Sequence, residues 1–229
     1  MKRLLSLMLM AGMTLAVTLL TSGTPHASRP INVQVRLPVA AKLDTTGVRR
    51  ILVGGFLYND SPYLDPENEM VDLLREELKK RTTFLILEDP APSLPEQRLD
   101  DLKQNALFFQ AMGEEYRADL IISGQVTFTT VDRSGFVTQE YISPMTGRRS
   151  IRSVYVDRTG YTLRLDLIYM RGADGMLLYD TSFFQDEIVL TDESDPLSIF
   201  FILSERFNDG FLGILLPQVR TEVRYLLTD

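Results

Sequence analysis

Two pairs of adjacent carboxylates have the residue types that acid and base catalysis needs. They are Asp186-Glu187 and Asp192-Glu193. In an enzyme, one carboxyl group of such a pair donates a proton and the other accepts one. Because we expect both pairs to lie in a solvated loop between a strand and a helix, the sequence does not favour catalysis. An envelope hydrolase that uses carboxylates alone is kept as a rival hypothesis, in which changing Asp186 or Glu187 abolishes turnover.

Other familiar catalytic chemistry lacks its residue types. The single histidine, His26, lies at the edge of a segment that we expect to be removed, and the chain has no cysteine. Without these side chains a protein cannot build a Ser-His-Asp triad, a Cys-His pair, a zinc finger or a histidine-rich catalytic metal site. Without cysteine it also forms no disulfide, so the core alone must stabilise the fold. The sequence therefore predicts a protein that is not an enzyme.

One acidic group offers oxygen ligands for calcium. Its members lie close together in the sequence: Asn59, Asp60, Asp65, Glu67 and Glu69. Their spacing does not match an EF-hand loop, and Asp65 is accounted for as a helix cap. We therefore predict no metal and no cofactor.

The pair Gly54-Gly55 follows an apolar run but is not a phosphate-binding signature. Neither a Gly-x-Gly-x-x-Gly pattern nor a Gly-Lys-Ser/Thr sequence follows it. We expect these glycines to allow close backbone packing or a turn.

Arg148, Arg149 and Arg152 form a basic cluster in an otherwise acidic chain. One interpretation is an exposed hairpin tip without a specific role. The other is a contact for an acidic partner or for lipid headgroups. These arginines are the candidate site residues of the sequence.

Residues 1–27 have the pattern of a secretory signal. Lys2 and Arg3 precede an apolar run from Leu4 to Leu20, and small residues follow it. A membrane anchor is the alternative, but the flank up to Ala27 favours cleavage, after either Gly23 or Ala27. The stretch 20–23 resembles the start of a lipoprotein box, yet Thr24 stands where such a box needs cysteine, so no lipid is attached there. We expect an exported protein that is periplasmic, with outer-membrane association left open.

Charge and length limit the remaining classes. The chain has 229 residues and a net charge of −7, and loss of Lys2 and Arg3 with the signal changes this to −9. So acidic a protein is a poor partner for phosphate backbones, which argues against nucleic-acid binding. About 200 residues support one domain. We predict a tether at residues 28–48, with an alternating stretch at 31–37 that could add an edge strand, and a single globular domain at residues 49–229.

Hydrophobic periodicity predicts an α/β (α+β) fold, a mixed sheet covered by helices. The predicted order is β-α-β-α-β, followed by antiparallel hairpins and then by C-terminal helices. We expect most of the apolar residues of these last helices to lie in the core and some of them to form an oligomer interface. The expected strands are 51–57, 83–88, 120–126, 127–131, 136–142, 149–156, 161–170 and 176–184, and the expected helices are 66–81, 97–115, 197–207 and 211–227.

Several of these motifs together resemble a known family. They are the strand 51–56 with the loop Tyr58-Asn59-Asp60-Ser61, the helix end Leu74-Arg75-Glu76-Glu77-Leu78 before the strand 84–88, the stretch 113–125 with Ala118-Asp119-Leu120-Ile121-Ile122-Ser123-Gly124, and Leu163, Asp166 and Leu167 before the turn 172–175. The set is similar to the periplasmic and outer-membrane domains related to the curli secretion protein CsgG, the N-terminal domain of TolB and the activator LpoB. The resemblance covers residues 48–190.

This resemblance implies a helix-covered mixed sheet and a role in assembly, secretion or interaction. The leading hypothesis is a non-enzymatic periplasmic module that docks another envelope protein and that can form a homo-oligomer. A rival is an oligomeric outer-membrane secretion channel like CsgG, whose family inserts two long β-hairpins per subunit. Residues 127–160 could supply one hairpin, but its faces are polar, and only about ten residues separate Phe184 from Asp195, too few for a second.

Overall fold

A computed structural model of the chain describes residues 29–59, 61, 63–193 and 195–228. The predicted signal, residues 1–27, and Asp60 of the acidic group lie outside the described residues. The predicted fold class is confirmed: helices flank a mixed sheet. The elements in chain order are β1 (Arg29–Val39), β2 (Arg50–Tyr58), α1 (Pro66–Arg81), β3 (Leu85–Ile86), α2 (Leu99–Gln104), α3 (Ala106–Tyr116), β4 (Leu120–Asp132), β5 (Gly135–Ile142), β6 (Arg149–Val156), β7 (Arg158–Arg171), β8 (Leu177–Leu190), α4 (Pro196–Glu205), α5 (Asn208–Leu215) and β9 (Gln218–Thr228).

Five strands form the main sheet in the order β3-β2-β4-β7-β8. β2 runs parallel to β3 and β4, whereas β7 is antiparallel to both β4 and β8. β4 joins the two halves as one strand of 13 residues, although the sequence predicted two strands there. The expected order of parallel strands followed by hairpins is therefore correct.

β2 contains a bulge at its two glycines. Its pairing with β4 shifts register between Val53 and Phe56. A Cβ atom on Gly55 would come within 2.6 Å of the Glu67 Oε1 atom and 2.7 Å of the Pro92 carbonyl oxygen. The predicted close packing is confirmed, because no side chain fits at Gly55 without displacing the loop that carries Pro92.

The sheet has two covered faces. Ile51 and Val53 point to a first face, which packs against α1, α4 and α5. Leu52 points to the second face, where α2 and α3 contribute Leu102, Phe109 and Met112. Alternate residues of one strand thus serve two helical layers, which explains why β2 is apolar throughout.

The second face is covered over only part of its length. Ile121 of β4 and Ile168 of β7 lie beneath α2 and α3. Farther along the same face, β4 carries Gln125 and Thr127 and β7 carries Asp166. This uncovered half is polar, and it forms one wall of a cleft at the carboxyl end of β2.

α1 begins where the sequence predicted, directly after the cap residue Asp65. The Asp65 carboxylate accepts a hydrogen bond from the Asn68 backbone N–H at 3.2 Å, and Pro66 occupies the first turn. The predicted helix 97–115 is instead two helices, α2 and α3. Asn105 separates them, because its side chain accepts a hydrogen bond from the Phe108 N–H at 3.3 Å and caps the second helix.

Two predictions near the C-terminus are wrong. β8 extends to Leu190, so Asp186 and Glu187 lie in a strand and not in a loop. The predicted helix 211–227 ends at Leu215, and the rest forms β9. Strict alternation of Val219, Val223 and Tyr225 with Arg220, Glu222 and Arg224 marks this strand in the sequence.

β1 and β9 pair in a separate two-stranded ribbon, which forms a compact unit apart from residues 40–218. The alternation at residues 31–37 does form a strand, but its partner is β9 and not the main sheet. In β9, Val219, Val223 and Tyr225 are exposed on one face. No helix among the described residues combines the length and the apolarity that a membrane span requires.

Candidate functional site

The predicted arginine cluster lies on a hairpin made of β5, β6 and the turn between them. We call residues 135–156 the arm and residues 141–152 its tip. β5 and β6 pair only with each other, in register from Gly135↔Val156 to Ile142↔Arg149. No residue of either strand is buried. The arm is thus the one hairpin of the described chain that is exposed on both of its faces.

Hydrogen bonds at its base make the arm continuous with β4 and β7. The Arg133 N–H donates to the Arg158 carbonyl oxygen at 2.8 Å, and the Arg158 N–H donates to the Ser134 hydroxyl oxygen at 3.0 Å. The Ser134 N–H and side chain hydrogen-bond Asp132 and lower the pKa of its carboxyl group. The sheet therefore holds the base of the arm in place.

The arginines are distributed over the tip. Arg148 lies in the turn, where the Ser143 N–H donates to its carbonyl oxygen at 2.9 Å. Arg149 forms an exposed ion pair with Glu140 at 3.5 Å. Arg152 donates to Gln139 Oε1 and lies 5.2 Å from the centre of the Tyr141 ring. These contacts are at the surface, so they hold the guanidinium groups weakly and leave them accessible to a partner.

Apolar side chains surround these arginines. The exposed fraction is 93% for Met145, 75% for Ile151, 65% for Ile142 and 76% for Phe136. Sequence reasoning selected only the arginines and missed these neighbours. The signal was available, since Ile142, Met145 and Ile151 lie within six residues of an arginine in the sequence, but only the structure shows that no other element of the described chain covers them.

The two faces of the arm carry the same mixture of side chains. Ile142, Arg149 and Ile151 share one face through the pairs Ile142↔Arg149 and Glu140↔Ile151. Tyr141 and Arg152 share the other face. The arm therefore does not have one face for the core and one for water, as an ordinary surface hairpin does.

A second feature is a polar cleft of about 1120 Å³ at the carboxyl end of β2. Its walls are the ends of β2 and α1, residues 93–100, and the uncovered half of the second sheet face. Asp166, which is buried, accepts hydrogen bonds from Arg164 Nε at 2.9 Å and Nη2 at 3.1 Å and from the Ser182 hydroxyl. Because Arg164 and Asp166 are paired with each other, their charges are largely satisfied within the cleft.

Glu67 is another carboxylate of this cleft, which Glu96 and Asp100 also line. Its Oε1 atom accepts a hydrogen bond from the Phe56 N–H at 3.1 Å. Partial burial raises the pKa of Glu67, the Phe56 hydrogen bond lowers it, and the charge of Asp65 raises it further, so that the net effect is an increase. The sequence analysis considered this group as a candidate calcium ligand, and in the structure its Oε1 atom accepts a hydrogen bond from the backbone of β2.

The structure does not bring the other candidate ligands together. Asn59 hydrogen-bonds both the N–H and the carbonyl of Phe128, and Asp65 caps α1. In the part of the chain that the structure describes, no three acidic, histidine or cysteine residues form a group that could hold a metal. Asp60 lies outside that part.

The carboxylate pair Asp186-Glu187 of the rival hydrolase hypothesis is also separated. Asp186 lies opposite Thr162 and Glu187 opposite Tyr161, which places the two carboxylates on opposite faces of the sheet. Glu187 forms an ion pair with Arg206. Adjacent residues of a strand cannot act on one bond, so this pair does not form a carboxylate dyad.

Comparisons with known proteins give fold-level likenesses only. Neither a protein-family model nor a curated protein matches the sequence. Lipoprotein GNA1162 from Neisseria meningitidis is similar in structure, with 14% identity, 72% of this chain and 98% of that chain covered, and a TM-score of 0.39. The PelC dodecamer from Paraburkholderia phytofirmans is 11% identical, with 80% of this chain and 98% of that chain covered and a TM-score of 0.36. The LpoB C-terminal domain from Salmonella enterica is 15% identical, with 64% of this chain and 84% of that chain covered and a TM-score of 0.30. At such identities and TM-scores, no activity, partner or assembly of those proteins is transferred to this chain.

Proposed function

We propose that this chain is an exported, non-enzymatic interaction module of the cell envelope, and that the arm is its contact surface. The module holds a second envelope component during assembly, secretion or transport. The body of the protein, residues 40–132 and 157–218, positions the arm and does no chemistry of its own.

The observation that supports this proposal is the exposure of the arm. A two-stranded hairpin without a packed face is marginally stable in water. Exposed apolar side chains next to one another mark an interaction site more often than a free surface. Since Met145, Ile151 and Ile142 cover nothing in the described chain, the binding of a partner is the simplest role for them.

The remaining sites support a binding role over catalysis. The processed chain is expected to lack both histidine and cysteine, and Asp186 and Glu187 lie on opposite sheet faces. In the polar cleft, Asp166 is paired with Arg164, and Glu67 accepts a hydrogen bond from the Phe56 N–H. The motif resemblance to assembly and secretion domains is in keeping with this role.

Site-specific photo-crosslinking in intact cells tests the proposal. A photoreactive phenylalanine analogue replaces Ile151 at the tip, and in a second chain it replaces Leu107 of α3. Leu107 is a matched control because its exposed fraction, 79%, is close to the 75% of Ile151. Cell fractionation and the mass of the product show in the same experiment whether the chain is exported and shortened.

We expect an adduct at Ile151 that mass spectrometry identifies as a discrete protein or lipid species, and no such adduct at Leu107. The proposal would be contradicted if the protein with the analogue at position 151 formed no adduct in the envelope. It would also be contradicted if that protein reacted as indiscriminately as the protein with the analogue at position 107. A full-length, cytoplasmic product would contradict its export.

A further inference from the structure

The arm is positively charged on a negatively charged protein. Residues 135–156 contain three arginines and one glutamate, a net charge of +2, so the other residues carry −9 of the total of −7. At the base of the arm, Asp132 and Asp157 are each followed by an arginine, and these charges cancel. The positive potential is therefore confined to the tip, while the body is repelled by an anionic surface.

The geometry of the tip favours a partner that surrounds it. A protein partner that adds a strand or covers a patch contacts one edge or one face of a hairpin. Here Ile142, Arg149 and Ile151 are on one face and Tyr141 and Arg152 on the other. The headgroup layer of a bilayer contacts both faces at once, since it is fluid.

The chemistry of the tip matches the two layers of a bilayer surface. Guanidinium groups pair with lipid phosphates, and their aliphatic stems extend toward the apolar region. Tyr141 beside Arg152 has the amphipathic character of residues that lie at headgroup level. Met145, at the far end of the turn, is the side chain that would reach deepest.

We propose that the tip of the arm binds the surface of a bilayer that contains anionic phospholipid, with Arg148, Arg149 and Arg152 on the phosphates and Met145, Ile142 and Ile151 among the upper acyl carbons. This inference rests on the proposed function, because it names the component that the arm contacts. The arm does not cross the bilayer. It holds the acidic body at a distance from the surface.

A unique fluorescent reporter tests this inference. The chain contains no tryptophan, so Met145→Trp places a single one at the tip and Leu107→Trp places one on α3 as the control. Each chain, purified from the periplasm, is mixed with vesicles of phosphatidylethanolamine and phosphatidylglycerol, and separately with vesicles of phosphatidylcholine alone. Because the reporter is local, lipid contact by any other segment does not affect its reading.

We expect the emission of Met145→Trp to move to shorter wavelength with the phosphatidylglycerol vesicles only, and high salt to reverse the shift. The Leu107→Trp emission should not move. Adding Arg149→Gln and Arg152→Gln to Met145→Trp should weaken binding about twenty-five-fold, because each arginine contributes about fivefold. Arg98→Gln with Arg220→Gln, which removes the same charge from two exposed arginines elsewhere, should leave it unchanged.

The outcomes separate this inference from the proposed function. No shift for Met145→Trp, together with a protein adduct at Ile151 in cells, would overturn lipid binding and leave the interaction module in place with a protein partner. Equal shifts with both kinds of vesicle, or equal losses for both arginine pairs, would also overturn it. If Met145→Trp shows no shift with vesicles and the analogue at position 151 forms no specific adduct in cells, both the lipid-binding inference and the proposed function are overturned.

Discussion

Gly55 is the residue at which β2, α1 and the loop after β3 approach most closely. The space that a Cβ atom would need is occupied by a carboxylate oxygen of Glu67 and by the backbone of Pro92. A flexible side chain can move away, whereas a backbone carbonyl moves only with its loop. Close packing at this position is therefore a requirement of the fold.

Gly55→Ala should lower the free energy of unfolding by about 1 to 3 kcal/mol, because overpacking forces backbone shifts. Gly54→Ala is the matched control, since its Cβ atom would meet only atoms at 3.7 Å or more. We expect that control to change stability by less than about 0.5 kcal/mol. Urea denaturation of both variants measures the difference, and equal losses would show that the close approach at Gly55 is not the cause.

Glu67 should make stability depend on pH in the opposite sense from most carboxylates. Burial raises its folded pKa above the unfolded value near 4.5, so the folded state binds its proton more tightly. Stability from this group is therefore full below pH 4.5 and is lost as the pH rises through the folded pKa. Glu67→Gln, which keeps the acceptor for the Phe56 N–H, should gain stability relative to wild type over that range.

Glu88→Gln is a control of opposite sign. The hydrogen bond from Lys79 lowers the pKa of Glu88, so wild type should lose stability relative to this variant as the pH falls through the folded pKa. Because Glu88 is exposed, salt should reduce the effect. Urea denaturation from about pH 3 to pH 7 measures both slopes. A Glu67→Gln difference that is constant with pH would contradict the assignment.

At the scale of elements, the arm is separable from the rest of the sheet. Its strands bury no side chain, and hydrogen bonds between residues 133–134 and 158 close the sheet beneath it. An element that contributes no buried surface contributes little to stability. The arm is therefore expected to be needed for binding and dispensable for folding.

Replacing residues 136–155 with an Asn-Gly turn should leave the free energy of unfolding within about 1 kcal/mol of wild type. Circular dichroism and urea denaturation measure this. The excised chain should lose its association with the envelope while remaining folded. A large drop in stability would show instead that side chains of the arm pack against the body, which would contradict their exposure in the structure.

Some elements could be predicted from the sequence and others could not. The cap at Asp65, the hairpin of β5 and β6 and the buried strand β2 depend on local signals of turn residues, charge and periodicity. The break at Asn105 was missed, because an asparagine inside an apolar helical pattern is also compatible with a continuous helix. The full length of β8 was missed because its last residues are stabilised by pairing with β7, a strand distant from them in the sequence.

At the scale of the whole molecule, the core belongs to residues 40–218. Among the residues whose burial the structure describes, the buried hydrophobic side chains run from Leu43 to Leu215, and none belongs to residues 32–39 of β1 or 218–225 of β9. The ribbon is a separate compact unit. We therefore expect residues 40–218 to fold without the ribbon.

A chain trimmed to residues 40–218 should therefore fold and unfold in one cooperative transition, with a urea midpoint close to that of the longer protein. A chain cut at Phe207 is the control, since it loses the buried Phe211, Leu212, Ile214 and Leu215 of α5. Loss of four large core side chains costs about 6 to 12 kcal/mol, which is comparable to the whole stability of a domain. If the 40–218 chain is as unfolded as this control, the ribbon is part of the core.

The sequence by itself determined the fold class, the order of parallel strands and hairpins, the close packing found at Gly55, and the position of the arginines on a hairpin. These follow from periodicity, caps and residue types, all of which act between near neighbours. Only the tertiary structure decided that the apolar residues of the arm are uncovered, that Asp186 and Glu187 face apart, and that β9 pairs with β1. Those facts depend on which distant segments pack together, and a local pattern is the same whether or not another element covers it.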